Sequence, residues 1–158
     1  MVELITDITA DDLPLASHKK LFNYWKKIKG TKKMPSRADF NPMFVPDVLP
    51  SIILTDVHQE PLRFKIRLMG TEIRTVAGAD MTGSWVDETP QTEEIIERYK
   101  WLIENKKPYF NMDKIQFELR DFINLHAVKD FTHYQAITLP FSDDDENVNI
   151  ILSSSHYY

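Results

Sequence analysis

The residues of this chain with most chemistry in them are five histidines, His18, His58, His126, His133 and His156, set against a complete absence of cysteine. A histidine beside a hydroxyl is the raw material of nucleophilic catalysis, and Ser153-Ser154-Ser155-His156 offers that pairing in sequence. Neighbouring residues of a strand point to opposite faces, however, and a Ser–His–acid triad is assembled in space from distant segments. Histidine is also a common axial ligand of haem. His126 and His133 are the candidates for that role, because the helix expected over residues 92–105 carries none. The plainer reading of both is an ordinary solvated or core side chain. No two histidines share a helix at ligand spacing, so no metal site is expected. The four glycines, Gly30, Gly70, Gly78 and Gly83, form neither a dinucleotide fingerprint nor a phosphate loop, and there is no G-x-S-x-G elbow. No residue is assigned a catalytic role. The missing cysteines remove disulfides, thiolate catalysis, iron–sulfur clusters and cysteine-rich zinc sites together.

The frame around these residues is that of one globular domain. The chain has 158 residues, 42% hydrophobic and 27% charged, which is ordinary for a soluble protein. A net charge of −5 gives no overall electrostatic footprint for nucleic acid. The start of the chain is acidic and lacks the pattern of a secretory signal. No apolar run approaches the ~18–20 residues that span a bilayer. A cytoplasmic protein with no nucleic-acid or membrane partner is expected. Lysines nonetheless cluster locally, at Lys19, Lys20, Lys26, Lys27, Lys29, Lys32 and Lys33. A solvated face is the plain reading of that cluster, and an acidic partner surface is the sharper one.

Residues 1–16 read as a short arm. Residues 17–30 read as an amphipathic helix, opened by Ser17 as N-cap and closed by Gly30. Leu21, Phe22, Trp25 and Ile28 lie on one stripe of it. The stripe packs on its own domain or serves a dimer. Residues 31–50 hold Pro35, Pro42, Pro46 and Pro50, and proline disfavours helix both at its own position and at the one before it. This segment is an irregular strap, with one helical turn near residues 45–49. Arg37 and Asp39 within it fix the strap, or Arg37 reaches an anionic ligand. Residues 51–158 form the core. Residues 51–57 are β-branched, and residues 63–69 alternate, with Phe64, Ile66 and Leu68 on one face and Arg63, Lys65 and Arg67 on the other. A short helix follows over residues 71–77, and a longer one opens at Thr92 with Ile95, Ile96, Tyr99, Leu102 and Ile103 in phase. Three further strands are expected near residues 109–119, 132–139 and 148–154. The fold class is α+β: five antiparallel strands with helices on one face and an N-terminal amphipathic helix.

That order of elements, carried on these residues, resembles the PAS domain family, and more closely a divergent bacterial branch of small stand-alone PAS-like proteins. The matching residues begin with the Trp25 helix and Met34-Pro35-Ser36-Arg37-Ala38-Asp39 with Pro42. They continue through Leu49-Pro50, Thr55-Asp56-Val57, Arg63-Phe64 and Arg67-Leu68-Met69-Gly70-Thr71 with Ile73. Gly78, Asp80-Met81-Thr82-Gly83 and Leu139-Pro140-Phe141-Ser142-Asp143-Asp144 complete the set. The likeness spans roughly residues 20–155. It departs from the pattern at residues 119–131, which look like an insertion between two strands.

The resemblance implies a sensory or interaction module without catalysis of its own, holding a small ligand between sheet and helices. Flavin photoreceptors of the family that form a cysteine adduct, and coumaryl photoreceptors attached through cysteine, are excluded by composition. No cofactor is specified. By phase, the candidate cavity is lined by Phe64, Ile66, Leu68, Ile73, Val76, Trp85, Ile95, Tyr99, Ile137 and Ile150, with Arg37, Arg74, Tyr99 and Tyr134 as polar candidates. Plain core is the bland reading of each, since small domains fill their interiors. The chain is expected to hold no output domain. It would act as a homodimer and pass its state to a signalling protein through the Leu21, Phe22, Trp25 and Ile28 helix and the outer sheet face. Two alternatives are an adaptor that binds a partner and no small molecule, and a small cone-shaped hydrolase or isomerase. The enzyme would need His126 or His133 deep in an apolar cavity beside a carboxylate.

Overall fold

A computed structural model describes residues 4–89, 92–114 and 131–158. Six strands are present among these: β1 (Ile5–Thr6), β2 (Ile52–His58), β3 (Arg63–Met69), β4 (Tyr109–Lys114), β5 (His133–Phe141) and β6 (Ile150–Tyr157). Three α-helices accompany them, α1 (Ala16–Lys29), α2 (Thr71–Ala77) and α3 (Glu93–Asn105). The strands form one antiparallel sheet in the order β1-β4-β5-β6-β2-β3. Five of them are the strands expected from sequence. The sixth comes from the N-terminal arm, where Ile5 and Thr6 pair with Phe110 and Tyr109. The remainder of the strand expected over residues 109–119, and nearly all of the insertion with His126, lie outside the described residues.

Alternation along β6 defines the two faces. Ser154 turns toward α1, where its Oγ lies 3.1 Å from His18 Nε2. Ser153 and its cross-strand neighbours Thr138 and Ile53 turn the other way, toward α3. The sheet is therefore covered on both sides, by α1 on the outer face and by α2 and α3 on the inner face.

Helix α1 is amphipathic, and its apolar stripe is spent on its own sheet. Leu21, Phe22 and Trp25 are 0%, 4% and 3% exposed, and the Trp25 indole N–H donates to the Pro140 carbonyl at 2.9 Å. Burial on that scale stabilises by about 1.5–3 kcal/mol for each large side chain. Of the two readings of the stripe, Leu21, Phe22 and Trp25 thus follow packing on their own domain rather than a dimer surface, with Ile28 half-buried beside them, and the outer sheet face beneath α1 is covered. The helix also starts earlier than expected: Leu15 occupies the N-cap and Ser17 lies inside the first turn. Gly30 closes it as expected, with φ +59° and its N–H on the Lys26 carbonyl.

The strap folds into three short 3-10 turns, Arg37–Asp39, Pro42–Phe44 and Pro46–Ser51, in place of the single turn expected. Met34, Val45 and Val48 anchor it in the core. The acidic turn between β5 and β6 clasps its start. Asp145 Oδ1 accepts the backbone N–H groups of Lys33 and Met34 at 2.9 and 3.0 Å, and Ser142 N–H donates to the Pro35 carbonyl. The strap's far end meets the turn into α2 at Gly70. A Cβ on Gly70 would collide with the carbonyl oxygens of Leu49 and Pro50. Only glycine fits there, and for reasons of space, because its φ of −66° is ordinary.

Candidate functional site

The inner face is polar where it meets α3. Thr55 from β2, Thr138 from β5, Asn111 from β4 and Ser153 from β6 are buried there, and Ser155 of β6 continues the same face toward α2. Register places them together: Ser153 lies opposite Thr138, and Thr138 opposite Tyr109. Three tyrosines enter the same layer. Tyr99 descends from α3, with its ring edge-on to Phe64 at 5.2 Å between centroids. Tyr109 and Tyr134 rise from the sheet. Burial pushes the Tyr99 phenol up, and the Thr55 and Ser153 hydroxyls facing it offset part of that shift. Burial likewise drives Tyr109 far up, with the Thr138 hydroxyl partly opposing. Tyr157 is pushed up to about 12 by burial and by Tyr134 and Tyr99.

Arg98 carries the only described charge buried in this layer, 7% exposed. Its Nη1 donates to the Tyr134 hydroxyl at 2.9 Å and its Nη2 to Asp113 Oδ2 at 3.1 Å, with Glu94 at 3.5 Å one turn back. Asn111 Nδ2 donates to the same Asp113 oxygen at 2.7 Å. Burial pulls the guanidinium down, and Tyr134, Asp113 and Tyr109 outweigh that pull and leave it raised. One buried polar atom of the layer, Arg98 Nε, has no hydrogen-bond partner. Such atoms are costly, and they mark places where a further polar group would be welcome.

Of the candidates taken from sequence, Phe64, Ile66, Ile73, Tyr99 and Tyr134 are in the inner half of the molecule. Six others are elsewhere. A β-bulge leaves Arg67 unpaired between Ile66, opposite Thr55, and Leu68, opposite Leu54. The alternation slips by one residue there, so Leu68 turns outward at 43% exposure and Met69 turns in. Ile137 pairs with Phe110 and Ser154 and is core under α1. Ile150 shares that outer face, opposite Phe141. Trp85 lies against the edge strand β3, with the Arg63 guanidinium 4.0 Å and the Lys65 ammonium 5.2 Å from its ring centre. Arg74 is exposed and faces Asp80 at 3.8 Å. Arg37 donates to the Phe40 carbonyl and lies over the Phe40 ring, the strap-fixing role. His133 stacks on Tyr158 and meets the Thr132 hydroxyl at 2.7 Å, at the end of β5 and away from this layer.

Arg98, Asp113, Asn111 and the hydroxyls of Thr55, Thr138 and Ser153 were missed by sequence reasoning. One signal was present. Arg98 falls at i+3 from Ile95 and i−4 from Leu102, so it interrupts the apolar stripe of α3 with a charge. The serine run of β6 was the other, in a central strand that apolar residues normally fill.

A sheet in this order, with helices packed on both faces, defines a six-stranded antiparallel α+β domain. A family model described as a PAS domain matches residues 14–98, and the chain belongs to the PAS domain family. Its members are sensory and signalling modules. Among solved structures, the PAS domain of histidine kinase ThkA is similar, with 16% identity and a TM-score of 0.47, over 66% of this chain and 95% of that one. No curated protein matches the chain. No helix among the described residues is long and apolar enough to cross a membrane.

Proposed function

We propose that this chain is a sensor that takes a small polar ligand into the layer between α3 and the inner sheet face and relays its presence by protein–protein contact. The observation that carries this reading is the buried, partnerless Arg98 Nε, set among the hydroxyl and amide side chains of Thr55, Asn111, Thr138 and Ser153. An interior built only for stability would be apolar there, since replacing polar networks with packed apolar groups is seldom costly. A ligand acceptor satisfies Arg98 Nε, and the ligand's other polar groups meet the neighbouring hydroxyls.

The route outward runs through β6. Ser153 and Ser155 face the ligand layer, while Ser154 between them contacts His18 of α1 and, at 2.8 Å, Ser51 of the strap. A shift of β6 on the inner side is felt on the outer side by α1 and the strap. Ligand then biases two packings of α1 on the sheet, and a homodimer contact or a signalling partner reads the difference.

Native mass spectrometry, set beside the denatured mass, tests the reading. A small excess mass that disappears on denaturation, and that is lost in a Thr55→Val variant of unchanged stability, is the expected result. A bare chain mass from both, with no heat of binding in a screen of polar metabolites, overturns it in favour of an adaptor.

A further inference from the structure

A concavity lies between α1, the N-terminal arm and the turn from α3 to β4, and nothing in the sensory reading uses it. Its floor is the narrow exposed edge of the core, formed by Ile8 from the arm and Phe22 and Trp25 from α1, each less than a tenth exposed, with Pro108 from the turn between α3 and β4 beside them. Its rim is basic. Lys29 and Lys33 stand at the end of α1, and Lys106 and Lys107 at the end of α3. Asp7 is the one carboxylate lining it, and Lys107 already holds that group at 3.0 Å. The volume is about 510 Å³, in the range of small-molecule sites.

Four lysines gathered at one opening are unexpected on a chain of net charge −5. The placement of Lys106 sharpens the point. It caps α3 in the left-handed region, φ +57°, a position that ordinarily favours glycine, and there it presents an ammonium group to the concavity. An apolar floor under a cationic rim matches one ligand chemistry, an acyl or aryl body ending in an anionic head. A neutral apolar ligand leaves the lysines unused, and a cation is repelled. We infer that this concavity binds a small amphipathic carboxylate, its apolar body against Pro108 and the exposed edges of Ile8, Phe22 and Trp25 and its head among Lys29, Lys33 and Lys106.

Isothermal titration of the full chain with decanoate at low ionic strength tests the assignment, with decyltrimethylammonium as the probe of opposite charge. One saturable decanoate site is expected, weakened by salt, with no saturable binding of the cation. Lys33→Glu combined with Lys106→Gly leaves the floor intact and is expected to lower decanoate affinity on the order of tenfold or more. Near-UV circular dichroism confirms the fold of the variant, and Lys106→Gly alone, which relieves a left-handed lysine, serves should the double variant fail that check. No decanoate binding, equal binding of the cation, or unchanged affinity in the folded variants each overturns the inference.

Discussion

His18 should make this protein lose stability well above the pH at which carboxylates protonate. The ring is buried between α1 and β6, 1% exposed, and burial together with the His156 charge holds its pKa down to about 4 from the ordinary 6.5. Its Nε2 meets Ser154, and its Nδ1 has no partner to share a second proton. The unfolded chain therefore binds a proton more readily than the native one. The stabilising contribution is complete above 6.5 and is lost as pH falls from there through 4. Between about pH 7.5 and about pH 4.5 the loss works out at about 2.5 kcal/mol. Urea denaturation across that window measures it, with His18→Leu as reference. In the variant Ser154 keeps Ser51 as a partner, and the non-titrating side chain removes the linkage. Wild type should lose about 2.5 kcal/mol more than the variant over the window. Parallel curves for the two proteins, or an NMR titration placing folded His18 near its ordinary pKa, would refute the reasoning.

Three further outcomes are expected. Gly70→Ala places a methyl group against the Leu49 and Pro50 carbonyls and should cost about 3 kcal/mol or more in urea denaturation, although the backbone angle there suits alanine. Arg98→Met strips Asp113 and Tyr134 of their shared donor; because Asp113 is a quarter exposed, the loss should be about 2 kcal/mol, and an accompanying Asp113→Asn should recover part of it in a double-mutant cycle. Lys106→Gly should raise stability by about 1 kcal/mol, read as an upward shift of the thermal midpoint, because glycine accepts the left-handed cap without strain.

The fold was legible to the extent that local signals reported it. The Leu21, Phe22 and Trp25 stripe, the Gly30 cap and the alternation of residues 63–66 depend only on neighbours in sequence, and each is where periodicity placed it. What periodicity could not supply was the second surface in each contact. The stripe of α1 reads the same whether it meets a second chain or its own sheet, and the sheet was decided by Ser154 and Pro140, more than a hundred residues away. Leu68 was misplaced because a bulge is a property of the pair of strands. Ile137 was misplaced because β5 is buried on both faces and carries no alternation to read. The polar layer was legible only in hindsight: Thr55, Asn111, Thr138 and Ser153 come from four strands, and register alone unites them.

The place of β6 has a consequence for how the molecule is made. The final strand in the sequence lies in the interior of the sheet, bonded to β2 on one side and to β5 on the other. As the chain leaves the ribosome, the β2–β3 hairpin and α1 emerge early, but the surface that joins them to the rest does not exist until residues 150–157 are free. Until then Ile52 and Leu54 expose a strand edge and Trp25 has no Pro140 carbonyl to meet. The strap waits as well, since Asp145, its clasp, arrives 111 residues after Met34. Folding is thus a closing event that waits for residues 150–157, in keeping with the slow assembly of sheets built from non-local pairs. A chain truncated before residue 150 would leave two unjoined half-sheets with exposed edges, a species inclined to aggregate.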